Sequence, residues 1–381
     1  MKWLKYAALS FLITGCLFIS GCGMQSATDS SGSLNPGTNE SLVVKESTSA
    51  DINSQNEKET TVNYDGKPGK ITVYISGPTP MLEALEQNFE ESRGDVVDFL
   101  HLGCGPLRQK VWTEKEAGQI QADVVWGSDP LMYIKLADAN ALEKYKPNGY
   151  DSLNEEYKIG DNYYTIASER YGVILYNSDN VTGKKIPKSF ADLEKIDWNG
   201  SLILADATQS STALALTSAL YELSGNNFDY LSTLNSNNLF LTKKNGEVST
   251  KIASGEFDGG IAPHDGAIRI LKKAKKEGYT LPIKIAWPNE GALAIQRPIA
   301  IIENPARPAE NETIAREFVD FIISKKAQTI TTKFGFISVR SDVELPLGIP
   351  DNVKVLPINW RKASENEDAL RSEFKTIMQN K

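Results

Sequence analysis

From residue 70 onward, short runs of β-branched and aromatic residues alternate with segments whose apolar positions recur every three or four residues, the pattern of strands followed by amphipathic helices. The first run predicts a strand over 71–76. Thr79-Pro80 behind it predicts a helix start, a capping hydroxyl followed by a proline suited to the first turn. Met81, Leu82, Leu85 and Phe89 then share one helical face. A strand over 96–102 leads through Gly103-Cys104-Gly105-Pro106 into a helix beginning near Leu107, and a strand over 122–126 ends in Gly127-Ser128-Asp129-Pro130 before the next helix. The alternation predicts open α/β sheets with parallel strands.

Residues 171–177 form a long uninterrupted strand pattern, followed by strands over 201–205, 259–262 and 283–288 and a helix over 211–223. The pattern resumes at 298–302, and a helix over 313–325 turns Ile314, Phe318, Phe321 and Ile322 inward. About 310 residues exceed what one core usually serves, so two lobes are expected. Strands near 171–177 and 298–302 are placed to cross between them. The first lobe is then 69–174 plus 298–345 and the second is 175–297, with a C-terminal extension, 346–381, on or near the first lobe.

Before residue 70 the pattern changes. Lys2 and Lys5 precede an apolar run ending in Ile19-Ser20-Gly21-Cys22, a secretory leader over 1–21 with a lipoprotein cleavage site before lipidated Cys22. Ile13-Thr14-Gly15-Cys16 is a second candidate, but it leaves a cramped apolar core; an ordinary signal peptide with an incidental cysteine is the plain alternative. Residues 22–68, rich in Ser, Asn, Thr, Glu and Gly after the cysteine, bury too little apolar surface to fold. As a flexible coil they span roughly 40 Å, which suits a tether holding a globular body clear of a membrane. The expected location is the bacterial envelope, facing outside the cytoplasm.

Without the leader the chain carries 39 basic against 49 acidic residues, which disfavours nucleic acid as a partner. The basic cluster Lys272-Lys273-Ala274-Lys275-Lys276 reads as a solvated helix face. Once Cys16 is cleaved away and Cys22 acylated, Cys104 stands alone, so no intramolecular disulfide is expected. No serine-nucleophile elbow, phosphate-binding Gly-x-x-x-x-Gly-Lys loop, His-Glu-x-x-His helix or paired-cysteine spacing is present, so no catalytic residue, metal site or cofactor is assigned.

Candidate ligand chemistry concentrates where strands end and helices begin, the edge at which open α/β sheets hold ligands and helix starts attract anions. In the first lobe these junctions are Ser76-Gly77-Pro78-Thr79, Gly103-Cys104-Gly105 and Gly127-Ser128-Asp129. Each hydroxyl also reads as ordinary helix punctuation. In the second lobe Asp206-Ala207-Thr208-Gln209-Ser210-Ser211-Thr212 offers consecutive hydroxyls suited to phosphate, or Ser210 and Ser211 merely cap the helix. Pro263-His264-Asp265-Gly266 and Trp287-Pro288-Asn289-Glu290 place one of the chain's two histidines and two carboxylates at a ligand-facing edge. The bland alternative there is a capping Asp265 and an exposed His264. His101 reads as structural.

Together with the lipobox and tether, the segments Ser76-Gly77-Pro78-Thr79-Pro80, Ala122-Asp123-Val124-Val125-Trp126-Gly127-Ser128-Asp129, Tyr171-Gly172-Val173-Ile174-Leu175-Tyr176-Asn177 and Gly255-Glu256-Phe257-Asp258-Gly259-Gly260-Ile261 resemble the extracellular solute-binding proteins of ATP-driven importers, in the branch holding ferric-ion, phosphonate and hexose-phosphate binders. The resemblance spans 70 to about 343. It implies a type II periplasmic-binding-protein fold, two α/β lobes joined by two crossover strands, and a monomer that closes on its ligand and delivers it to an ABC permease and ATPase. Ferric binders place neighbouring tyrosines near the segment that reads Ile261-Ala262-Pro263-His264-Asp265 here, so iron is disfavoured. The His-Asp pair with a downstream glutamate is similar to the sugar-phosphate binders. Carried over, His264, Asp265 and Glu290 hold the sugar, while Ser76, Thr79, Ser210, Ser211 and Thr212 hold the phosphate; Gly77, Gly103, Cys104, Ser128 and Ser168 complete the candidate set. Ferric ion, phosphonate or another anion remains the alternative ligand, and a surface phosphate-ester hydrolase the alternative function.

Overall fold

The computed structural model describes residues 66–379; the leader, Cys22 and most of the tether lie outside the described residues. The chain begins as expected with βα units: β1 (Ile71–Ile75), α1 (Thr79–Glu90), β2 (Val97–His101), α2 (Cys104–Glu116), β3 (Val124–Trp126) and α3 (Pro130–Asp138). It continues through β4 (Thr165–Asn177), α4 (Asp192–Lys195), β5 (Leu202–Ala205), α5 (Ser211–Leu223), α6 (Asp229–Ser236), β6 (Phe240–Thr242), α7 (Asn245–Ala253), β7 (Gly259–Pro263), α8 (His264–Lys276) and β8 (Ile283–Ala286). It closes with β9 (Ala292–Ile301), α9 (Ala309–Ile322), α10 (Lys325–Thr332), β10 (Val355–Leu356), α11 (Trp360–Glu365) and α12 (Glu367–Gln379).

The strands join in the order β2-β1-β3-β9-β4-β7-β5-β6, with β8 also on β4 and β10 on β9. Two α/β lobes are therefore joined through two long strands, the 13-residue β4 and the 10-residue β9. The expected lobe boundaries, 174–175 and 297–298, fall within these strands. The outer strands pair in parallel, as the βα pattern requires. The centre departs from that expectation, because the chain leaves the first lobe along β4 and returns along β9, so the two run antiparallel.

Local sequence explains each element's buried face. On α1, Met81, Leu82, Leu85 and Phe89 are fully covered, and Phe89 meets Phe318 of α9 edge-on with centroids 5.2 Å apart. The first lobe's core is built around Ile71, Val73, Val124 and Phe318, and the second's around Val173, Ile203, Val248 and Ile261. Apolar residues of α3, α5 and α6 join a cluster completed by Trp360 and Phe374 from the C-terminal helices. That segment reaches both lobes: α11 lies against α3, and α12 against α5 and α6. Arg108 of α2 fixes it, with one guanidinium nitrogen on Asp129 at 2.8 Å and the other on Glu367 of α12 at 2.5 Å.

Alternation along the crossover strands sets up everything functional. Ser168 pairs with Arg297 across β4 and β9, and Glu169 with Gln296. Period-two geometry sends Ser168, Arg170 and Arg297 to one face and Glu169, Tyr171, Ala294 and Gln296 to the other.

Candidate functional site

The first of these faces opens into a cleft of about 670 Å³ between the lobes. Ser76, Gly77, His101, Gly103, Cys104 and Gly105 line it from the first lobe; Gln209, Ser210, Thr212, Lys243, Lys244, Asn245, Asp265 and Arg269 line it from the second. Arg170 and Arg297 rise from the crossover strands, with Phe336 beside them.

Helix starts converge here. α2 begins at Gly103-Cys104 with no side-chain cap, leaving its first N–H groups pointed at the cleft. α5 is capped by Ser210, whose Oγ accepts from the Ala213 N–H at 3.3 Å. The two helix starts touch: Ser211 Oγ donates to the Cys104 carbonyl at 3.2 Å, and Thr212 Oγ1 donates to the Ser128 carbonyl at 3.4 Å. Contact is tight enough that a β-carbon on Gly105 would lie 2.0 Å from the Gln209 carbonyl oxygen. Both N-terminal dipole ends thus add positive potential to the same volume.

Arg297 is the chemical centre. It is 1% exposed, yet among the described residues no carboxylate lies within ion-pair distance. Its Nε donates to Ser128 Oγ at 3.0 Å, Nη1 to Ser168 Oγ at 2.9 Å and Nη2 to the Ser76 carbonyl at 2.6 Å. Its guanidinium carbon stands 4.3 Å from the Phe336 ring centre and 4.9 Å from that of Trp126. Burial and the neighbouring Arg170 pull its pKa down to about 10, so it stays charged at neutral pH. A buried cation held only by neutral groups is costly unless an anion arrives.

Asp265, in the first turn of α8, has a different task from the one expected of it. Arg170 clasps it with Nε at 2.8 Å and Nη2 at 2.5 Å, and Arg269, one turn along α8, bonds its other oxygen. Burial alone would raise this carboxyl's pKa, but Arg170 and Arg269 hold it well below the usual carboxylate range. Both its oxygens are committed, so Asp265 orients two arginines and is not available to sugar hydroxyls. The lining carries Arg170, Arg269, Arg297, Lys243 and Lys244 against this one carboxylate.

Other candidates fall into three groups. Ser76, Gly77, Gly103, Cys104, Ser210 and Thr212 line the cleft, with Cys104 Sγ 3.0 Å from Ser76 Oγ and 3.3 Å from Thr212 Oγ1. Ser128, Ser168 and Ser211 are buried behind it, the first two holding Arg297 and the third joining the lobes. Thr79, His264 and Glu290 are corrected. Thr79 does not cap α1, which starts after Pro78; it is exposed, with Oγ1 3.4 Å from His101 Nδ1, and His101 is a cleft-edge residue. His264 is fully buried: Nδ1 accepts from the Tyr171 N–H at 2.9 Å and Nε2 lies 2.7 Å from the Gly335 carbonyl, so backbone occupies both ring nitrogens. Burial holds this histidine's pKa below its ordinary value. Glu290 lines a separate cavity of about 320 Å³ with Phe190 and Tyr230.

Sequence reading missed Arg170, Arg269, Arg297, Lys243 and Asn245. A signal existed for two of them, since Arg170 and Arg297 interrupt apolar strand patterns where a charge should be rare. Asn245 carries a further clue: Nδ2 donates to Ser210 Oγ at 3.1 Å, while its buried Oδ1 has no donor among the described residues.

No helix among the described residues is long and apolar enough to cross a membrane. Residues 121–366 match the family of bacterial extracellular solute-binding proteins. The probable ABC transporter periplasmic-binding protein y4fP of Sinorhizobium fredii is 23% identical over 285 residues, 71% of this chain and 76% of that protein. Among solved structures, the periplasmic binding protein AfuA of Actinobacillus pleuropneumoniae, with fructose-6-phosphate bound, aligns with a TM-score of 0.71 and 22% identity over 82% of this chain and 99% of its own. Iron-bound HitA of Pseudomonas aeruginosa aligns with a TM-score of 0.67 and 20% identity over 81% and 99%. The chain belongs to the bacterial extracellular solute-binding proteins, which capture a small molecule outside the cytoplasm for the permease and ATPase of an ABC importer and are transport proteins rather than enzymes.

Proposed function

We propose that the cleft captures a phosphorylated sugar, a hexose phosphate, and that a lipid on Cys22 holds the protein at the outer face of a bacterial membrane beside its permease. The observation that carries this reading is Arg297, a buried guanidinium without a carboxylate partner among the described residues, set at the meeting point of the lobes. A phosphate brought there gains charge-assisted bonds from Arg297 and Arg170 and from the uncapped start of α2. The sugar then lies toward Asn245 and Gln209, where the unpaired Asn245 Oδ1 accepts a hydroxyl. Each charge-assisted bond contributes about 1.5–3 kcal/mol, so a few give micromolar affinity.

Ferric ion fits this lining poorly. Among the described residues no tyrosine lines the cleft, the one lining carboxylate is already doubly paired, and the arginines and lysines repel a trivalent cation. Solved structures of this fold include both a sugar-phosphate-bound and an iron-bound protein, and the likeness to them is one of fold alone; the cationic lining of the cleft supports the anionic ligand. Isothermal titration with glucose 6-phosphate, fructose 6-phosphate and the free hexoses tests the proposal. Binding of the phosphorylated sugars alone supports it; equal binding of phosphorylated and free sugar, or no binding of either, rejects it.

A further inference from the structure

The opposite face of the crossover strands closes a second cavity, also about 670 Å³, that shares no lining residue with the cleft. Its walls come from four places: α3, the segment around Tyr157 and Tyr164, the rear face of β4 and β9, and the stretch from Val355 through Arg361 that ends in α11. Two features give it a chemical character. The walls are aromatic, with Tyr157, Tyr164, Tyr171 and Trp360 each less than one-tenth exposed. They are also acidic: Asp138, Glu156 and Asp161, all exposed, and buried Glu169 stand against Arg361 as the one basic lining residue among the described residues, and Arg361 Nη1 already donates to both oxygens of Asp138.

Glu169 is the decisive residue. It is 4% exposed and lines the cavity, and its Oε2 accepts from the Tyr157 hydroxyl at 3.0 Å. Its Oε1 has no donor, and no cation pairs with it, among the described residues. A buried carboxyl with no cation beside it in an aromatic wall is the counterpart of Arg297 in the cleft; burial raises its pKa to about 7, so an arriving cation would favour its ionised form. Aromatic faces here do attract ammonium groups: Lys144 Nζ sits 5.0 Å from the centre of the Tyr163 ring at the rim. The excess of carboxylates over cations in the lining disfavours an anion, and no cluster of residues among those described suits a metal ion.

We infer that this rear cavity is a second ligand site, one that takes a small organic ammonium ion, with Glu169 as its counterion and the tyrosine and tryptophan rings as its walls. The reading does not depend on what the cleft binds.

Choline chloride is the probe, and 3,3-dimethyl-1-butanol, which has its shape without its charge, is the control. Titration calorimetry should show saturable choline binding at one per chain and none of the alcohol. Glu169→Gln should weaken choline binding roughly tenfold or more, the scale of one ion pair. Ala294→Trp, which projects an indole into the cavity and keeps the carboxylate, should weaken it as well. Both variants should keep the wild-type far-ultraviolet circular dichroism and a cooperative thermal melt, which reports that they fold. No choline binding to the wild type, equal binding of the neutral alcohol, or undiminished binding to Glu169→Gln would each overturn the inference.

Discussion

Glu169 and Arg170 are neighbours on one strand, yet they open onto different cavities: Arg170 reaches the cleft and clasps Asp265, while Glu169 faces the rear cavity and meets Tyr157. One peptide unit therefore separates a cationic chamber from an acidic one. The strand's period-two geometry makes this possible.

Arg297→Gln should lower affinity for the cleft's anion by about 10-fold to 150-fold, the cost of one charge-assisted bond. Stability should not fall in step, because the removed guanidinium is buried without a carboxylate partner among the described residues. Calorimetric titration paired with thermal melts of the ligand-free protein checks both. A large loss of melting temperature would mean that Arg297 serves the fold rather than the ligand.

Asp265→Asn should lower stability. It strips the countercharge from Arg170 and Arg269, and breaking such a buried pair costs about 3–5 kcal/mol. Because the folded carboxyl titrates below its ordinary value of 3.8, its contribution is present at neutral pH and disappears only as pH falls beneath that value. Urea denaturation of wild type and variant at pH 7 should show the full gap, and the gap should narrow in strong acid.

Gly105→Ala tests whether the lobes meet as described. The added methyl would overlap the Gln209 carbonyl, a backbone atom that cannot swing aside, so α2 and α5 must separate. Overpacking of this kind costs about 1–3 kcal/mol, and since the contact forms between lobes, ligand affinity should fall by a comparable amount. Small-angle scattering should show a larger radius of gyration for the variant in the presence of ligand. An unchanged radius and affinity would place the two helix starts further apart.

Glu169 sets a pH dependence of opposite sign to that of Asp265. Burial pushes its carboxyl from 4.5 up to about 7. Between those values the folded protein holds a proton that the unfolded chain has released, so stability falls as pH rises through that window and stays lower above it, by ~3 kcal/mol. His264, kept neutral by burial, acts in the other direction and loses stability as pH drops below its ordinary 6.5. Glu169→Gln removes only the first effect. Wild type and variant should melt together near pH 4.5, and the variant should melt several degrees higher at pH 8.

Much of this molecule was legible before any coordinates. Apolar spacing located β1, α1 and α5 closely, because a 3.6-residue or two-residue period is a local property of the chain. The hydroxyl-rich helix starts were equally visible, and Ser76, Ser210 and Thr212 do face the cleft. His264 was misjudged for a physical reason: its neighbours in sequence say nothing about Gly335, 71 positions away, whose carbonyl meets its ring.

What the chain alone determined, then, was its alternating strands and helices, its two-lobe plan and the presence of donors at helix starts. Tertiary structure decided which polar side chains are free for a ligand and which are consumed. Pairing between β4 and β9 chose the face on which each charge appears, and distant contacts committed Asp265 to arginines while leaving Arg297 and Glu169 without countercharges among the described residues. Such partnerships are set by three-dimensional proximity, which no local period encodes.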